Sequence, residues 1–157
     1  MVTPELLHHY PIFRYLKPDK LVAVAAISKE ELYEKKAIIY REKDHTDFLY
    51  ILVKGSVELL FKIEADNPEL KELPFDKVTA GEMFGLSALL EPNIHTSTAR
   101  ASMPSHVIKI DAAGLMALCK EDTQMAYRIM RQVAKTTSKR LNATRLQLAM
   151  AYSTIQK

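Results

Sequence analysis

Only four glycines occur in 157 residues, and two of them bracket one short segment, Gly81-Glu-Met-Phe-Gly85. That pair constrains the chain more than any other feature, because glycine alone lets backbone approach a ligand or a neighbouring strand with no Cβ in the way. After Gly85 comes one apolar turn, Ser87-Ala-Leu-Leu90, which Pro92 stops. A glycine that opens a short helix allows backbone N–H groups to converge on one point, and the helix start adds partial positive charge there. The natural occupant of such a point is an anion. The chain then runs through Thr96-Ser-Thr-Ala-Arg-Ala101, small and rich in hydroxyls, as a strand returning past a ligand has to be. The same residues also fit a tight turn in an all-β domain with nothing bound, so spacing leaves both readings open.

The flanking sequence sets this turn in a β domain with helical ends. Thr3-Pro-Glu5 with Leu6, Leu7 and Tyr10 predicts a capped helix with proline at its first position, ended by Pro11. Pro18-Asp19 opens a second short helix for Leu21 to Ile27. From Glu31 to Ile63 the pattern becomes β. Ala37-Ile-Ile-Tyr40 and Phe48-Leu-Tyr-Ile-Leu-Val53 are apolar and rich in β-branched and aromatic residues, Gly55 sits at a hairpin turn, and Val57 to Ile63 runs back. Glu64 to Asp76, with Asn67-Pro68 and Pro74, predicts a loop. Ser105 to Asp111 alternates as a closing strand, and Asp111 caps a short helix over Ala112 to Cys119 that Gly114 interrupts.

Beyond Asp122-Thr123 no glycine or proline occurs, which predicts one long helix to the end. With Tyr127 at an a position, Tyr127, Met130, Ala134, Thr137, Leu141, Thr144, Leu148, Ala151 and Ile155 fall at a and d of successive heptads. A stripe this long exceeds what one small β domain can cover, so a parallel homodimer through this helix is expected. The charge is also uneven: residues 120–157 hold eight Lys/Arg against two acids, while residues 1–119 hold fourteen against seventeen. A basic helix face serves either solvation or an acidic or nucleic-acid partner.

Composition narrows the function. At 48% hydrophobic and 26% charged residues the chain is one globular domain plus an extra element. It has no apolar run near the ~20 residues a membrane span needs and no leader-like start, so a cytoplasmic protein without membrane association is expected. The single Cys119 excludes a disulfide within the chain and a thiolate metal site. His8 and His9 are adjacent, so on a helix they point to different sides and make no metal pair. No Walker-type glycine loop and no nucleophile–histidine–carboxylate pattern is present, and the expectation is a non-enzymatic protein.

Short helices, a β-roll carrying a G-E-x-F-G turn and then a long helix resemble the cyclic-nucleotide-binding domain of the catabolite-activator-like regulators. The resemblance covers nearly all of residues 5–157. It is carried by Phe13-x-x-Leu16 with Pro18, Ile39-Tyr-Arg-Glu-x-Asp44, Leu49-Tyr-Ile-x-x-x-Gly55-x-Val57 and Gly81-Glu-Met-Phe-Gly85 with Ser87-Ala-Leu89. It implies an α+β, mainly β fold: a double-stranded, jelly-roll-like β-roll with short N-terminal helices in residues 1–122, and a long C-terminal dimerisation helix in residues 123–157. It also implies that Gly85, Leu86, Ser87, Ala88, His95, Thr96 and Ser97 line a cyclic-phosphate site, with Thr144 aligned to the family's base-contacting threonine. Lys36 and Lys43 stand where the family usually has turn glycines. Its transcription factors continue into a winged helix-turn-helix, whereas this sequence ends at Lys157, so no DNA-binding domain and no sequence-specific DNA binding are expected.

Two side chains depart from the family pattern. Leu86 stands where a glutamate binds the ribose, and it has no acceptor. His95 stands where an arginine pairs with the phosphate, and a neutral imidazole lacks the guanidinium fork. Loss of both contacts costs about 3–6 kcal/mol, so cyclic AMP or cyclic GMP is expected to bind weakly or not at all. The expected function is a dimeric sensing and regulatory module with a degenerate phosphate cassette. The alternatives are a ligand-free module for dimerisation or docking to a protein partner, and a sensor of haem or another small anion.

Overall fold

In the computed structural model, which describes residues 1–63, 66 and 71–155, two four-stranded antiparallel sheets face each other and helices cover the outside of one of them. The strands are β1 (Ser28–Tyr33), β2 (Ile38–Tyr40), β3 (Phe48–Lys54), β4 (Val57–Lys62), β5 (Glu72–Val78), β6 (Met83–Phe84), β7 (Thr98–Ala101) and β8 (Ser105–Asp111). One sheet has the order β1-β8-β3-β6 and the other β2-β7-β4-β5. The helices are α1 (Pro4–His8), α2 (Pro18–Ala26), α3 (Ala112–Glu121) and α4 (Thr123–Ile155). This is the expected mainly-β roll with a long C-terminal helix.

The layering follows from alternation along β3. Leu49 and Ile51 join the core under the helices, with Ile108 and Ile110 of β8, Phe13, Leu115, Met125, Ile129 and Val133. Tyr50 and Leu52 point to the other face and join Val57, Leu59, Phe84, Ala99 and Val107 inside the roll. A strand buried on both faces has to be apolar throughout, and Phe48-Leu-Tyr-Ile-Leu-Val53 is.

Several local signals act as expected. Thr3 Oγ1 accepts the Leu6 N–H at 3.1 Å with Pro4 opening α1, and Asp111 Oδ2 accepts the Gly114 N–H at 2.9 Å to cap α3. Gly114 does not interrupt α3 but lies within its first turn, where a Cβ would come within 3.1 Å of Ile27 Cδ1. The expected loop over Glu64 to Asp76 is also corrected. Residues 64, 65 and 67–70 lie outside the described residues, but Glu72–Val78 forms β5, paired with β4 from Val57↔Val78 to Lys62↔Glu72. Pro74 is tolerated there because β5 is an edge strand and the register shifts between Leu59 and Leu60 opposite it.

Lys36 and Lys43, which replace family glycines, both adopt φ 74°. The turns hold them there: the Lys36 N–H donates to the Ala101 carbonyl at 2.7 Å and the Lys43 N–H to the His95 carbonyl at 2.8 Å. Left-handed backbone costs a Cβ-bearing residue about 1–2 kcal/mol, and glycine's greater unfolded-state entropy offsets about half of that. Lys36→Gly and Lys43→Gly are therefore each predicted to raise stability by about 0.5–1 kcal/mol. Urea unfolding checks this, and a lowered midpoint with an unchanged slope would contradict it.

Candidate functional site

Gly85 marks the end of β6 and the start of a 3-10 turn, Leu86–Leu89, and its backbone is left-handed at φ 72°, ψ 35°. Space is restricted there as well, since a Cβ would lie 2.8 Å from Tyr50 Cδ2. Behind the turn, Asn93 Nδ2 donates to the Ser87 carbonyl at 3.1 Å and to the Ala88 carbonyl at 3.0 Å. The carbonyl side is thus satisfied by a side chain.

Beside this turn lies a phenol, that of Tyr40. The Gly85 backbone and the Ser97 side chain both act to lower the Tyr40 pKa, so each favours negative charge on the phenol oxygen. Its ring lies parallel to His95, 3.6 Å between centroids at an interplanar angle of 4°. Tyr50 and Phe84 complete the stack, 5.6 Å and 6.1 Å from Tyr40. Burial pushes the Tyr40 pKa far above its ordinary 10.0, against the opposing charge of Arg140. Burial, with Glu31 and Asp47 adding to it, pushes Tyr50 up to about 12. Both phenols are neutral at physiological pH. A neutral phenol of the chain itself therefore sits where Gly85, Ser97 and Arg140 favour negative charge.

The cation whose field reaches this point comes from α4. Arg140 Nη2 donates to the Met83 carbonyl, and Nε lies 3.5 Å from Asp76 Oδ2. A largely buried arginine on a helix that is otherwise solvated at this level ties the helix to the strand leading into Gly85. Arg100 lies on the outer face of β7, with Nη2 2.7 Å from Glu58 Oε1 and Nη1 3.0 Å from Glu72 Oε2.

The residues expected to line the site divide among three places. Gly85, His95 and Ser97 come together around Tyr40, with His95 5% exposed. Leu86 packs on the core beneath the helices, alongside buried Ala88 and Leu89, so this part of the turn faces away from the aromatic stack. Ser87 is part-buried and supplies its carbonyl to Asn93, and Thr96 is exposed. Thr144 is exposed on α4, its Oγ1 donating to the Arg140 carbonyl at 2.9 Å. Sequence reasoning missed Tyr40 and Arg140. The available signal for Arg140 was helical spacing: Met125, Ile129 and Val133 are the buried face of α4, and Arg140 continues that face.

Among the described residues no group of three or more His, Cys, Asp or Glu is placed to hold a metal ion, and no helix is long and apolar enough to cross a membrane. Cys119 is buried and unpaired by any disulfide.

Comparison with known proteins gives the same picture. The family model for the cyclic nucleotide-binding domain matches residues 30–122. A protein of Geobacter metallireducens GS-15 described as cyclic nucleotide-binding has a solved structure that superposes with a TM-score of 0.78 at 30% identity, covering 90% of this chain and 99% of that one. Vfr of Pseudomonas aeruginosa, a cAMP-activated global transcriptional regulator, is 29% identical over 83% of this chain and 61% of its own length. The catabolite activator protein of Thermus thermophilus shares the fold with a TM-score of 0.68 at 20% identity, over 90% of this chain and 63% of that one. The chain spans 33% and 61% of the lengths of the two curated relatives it matches.

His95 supplies a pH test of the stack. Burial holds its pKa below the ordinary 6.5, against the nearby Asp44 carboxylate, which raises it, while His45 lowers it further. The folded state therefore favours neutral imidazole and the unfolded state takes up the proton first. The stabilisation is full above pH ~6.5 and is lost as pH falls from there through the folded-state pKa. Wild type is predicted to lose more stability than His95→Phe between about pH 8 and pH 5.5 in urea unfolding. Parallel loss in the two proteins would remove His95 from this role.

Proposed function

The chain belongs to the cyclic nucleotide-binding domain family, within the superfamily of catabolite-activator-like regulators, and from that premise we propose that it is a non-enzymatic sensing module for a small anion, most simply a cyclic nucleotide held weakly. The observation that carries this is the stacking of Tyr40 on buried His95 beside the Gly85 turn, where Gly85, Ser97 and Arg140 each favour negative charge on the phenol oxygen. Those are the components of an anion subsite, and Arg140 supplies the charge that His95 does not. Tyr40 sits in that subsite as an internal plug. A cyclic phosphate enters when Tyr40 swings out, and the cost of that displacement lowers the apparent affinity by the fraction of molecules already open. In this scheme residues 1–122 sense and residues 123–157 dimerise.

The helix supports the second half of the scheme. α4 buries Met125, Ile129 and Val133 against its own roll, but Tyr127, Leu141, Leu148 and Ile155 of the heptad stripe are 62%, 48%, 55% and 78% exposed. A second copy of the helix is the economical cover for that stripe. One further reading has its own support. The Tyr40–His95–Tyr50–Phe84 stack already fills the inside of the roll, as it would in a ligand-free dimerisation or docking module.

Tyr40→Leu separates the two readings, because it keeps apolar bulk while removing the hydroxyl that meets Gly85. In calorimetric titration near pH 8, the variant is predicted to bind cyclic AMP about tenfold or more tighter than wild type, and Arg140→Gln on that background to abolish the gain. A Tyr40→Leu protein that melts cooperatively and binds no better than wild type would favour the ligand-free module. A thermal-shift screen with cyclic GMP, other small anions and haem extends the test to other ligands. For the helix, Leu148→Glu is predicted to give monomers in sedimentation at concentrations where wild type is dimeric. A wild type that is monomeric at tens of micromolar would remove the dimer.

A further inference from the structure

Along the flank of α4 beside the heptad stripe runs a groove that the sensing scheme does not use, with Tyr127 the one stripe residue among the described residues that lines it. Its other wall is the Tyr10–Leu16 segment between α1 and α2. It consists of two adjoining cavities of about 220 and 300 Å³ that share Pro11, Ile12, Gln132 and Lys135. The upper cavity reaches Gly81, Glu82 and Met83, and the lower one reaches Tyr15 and Tyr127. Arg128, Arg131, Lys135 and Lys139 follow one another along this flank at intervals of three or four residues, so they form one row. At 100° per residue Arg128, Lys135 and Lys139 lie about 120–160° around the helix from Leu141 and Arg131 about 80°, so the upper part of the row, beyond Tyr127, stays open when the stripe is covered by a second helix.

The row is basic and largely uncompensated. Glu82, 3.7 Å from Lys139, is the one carboxylate among the described residues lining either cavity. Among the described residues no carboxylate lies within 4 Å of Arg128, Arg131 or Lys135. Two of the guanidiniums are held in place by aromatic groups: Arg128 lies 5.2 Å from the Tyr15 ring centroid, and Arg131 Nη1 donates to the Tyr127 hydroxyl at 3.0 Å. Beneath the cations the floor is apolar, made by Pro11, Ile12, Leu16 and Met83.

We propose that this groove is a docking site for an extended acidic segment of a partner protein. The cations span eleven residues of helix, about 17 Å, in steps of about 4.5–6 Å. An extended chain places same-side residues about 6.7 Å apart, so three or four acids at alternate positions meet the row while the residues between them reach the floor. A nucleic-acid backbone brings charge but nothing apolar for that floor, and a flat membrane surface does not enter a recess. The site is independent of whether an anion occupies the Gly85 subsite, because none of its cations faces Tyr40.

The test uses the full chain and a fluorescein-labelled seven-residue peptide of alternating glutamate and leucine, followed by anisotropy at low salt. Saturable binding is expected, with about tenfold loss of affinity in Arg131→Glu/Lys135→Glu and about threefold in Arg131→Gln/Lys135→Gln. Lys29→Glu/Lys77→Glu changes net charge equally on other surfaces and is expected to leave affinity within about twofold of wild type. A glutamate-only peptide is expected to bind several-fold more weakly. Absence of saturable binding, equal loss in the Lys29/Lys77 control, no loss in the groove variants, equal binding of the glutamate-only peptide, or displacement of the peptide by a short DNA duplex at equal charge would each overturn the proposal.

Discussion

Burial of β3 on both of its faces is the constraint from which the rest of the architecture follows. Leu49 and Ile51 belong to the core beneath the helices, while Tyr50 and Leu52 belong to the inside of the roll. Each such side chain contributes about 1.5–3 kcal/mol when removed from water, but only if both neighbouring layers are present. The helices and the second sheet are therefore mutually dependent through one strand. The same strand positions the functional turn, because Tyr50 packs where a Cβ on Gly85 would be. Glycine at that position answers to backbone conformation and to packing at once, whether or not a ligand is present.

Inside the roll, the chemistry has two features that pull in opposite directions. Gly85, Ser97 and Arg140 each favour negative charge at the position of the Tyr40 oxygen. The group that sits there is a phenol kept neutral by burial. A neutral hydroxyl satisfies the donors without the desolvation penalty that a buried unpaired anion carries. The stack with His95, Tyr50 and Phe84 makes this closed arrangement self-consistent.

Much of the fold was legible in the sequence because its signals are local. The apolar run of β3, the caps at Thr3 and Asp111, the left-handed turn at Gly85 and the uninterrupted helix after Thr123 are each written in a few consecutive residues. Lys36 and Lys43 were marked only by resemblance to turn glycines, and both occupy left-handed backbone. What was not legible depends on register between distant segments. Tyr40 reaches Gly85 only because β2 pairs with β7 and carries it over His95 and Ser97. The direction of Leu86 depends on a 3-10 turn in which one residue of rotation decides between the inside of the roll and the helix side. β5 was hidden by Pro74, whose meaning changes once its strand lies at a sheet edge.

Arg140 gives α4 a mechanical character. At 33 residues the helix is about 50 Å long, and among the described residues its last side-chain hydrogen bond to the roll is that of the Arg140 guanidinium to the Met83 carbonyl. The fifteen residues beyond it project about 22 Å past that fulcrum. A tilt of about 5° there, the size of adjustment a shifted strand end produces, moves the far tip by about 2 Å. Two such arms lying side by side would convert an ångström-scale change at β6 into a change of spacing at whatever their ends carry.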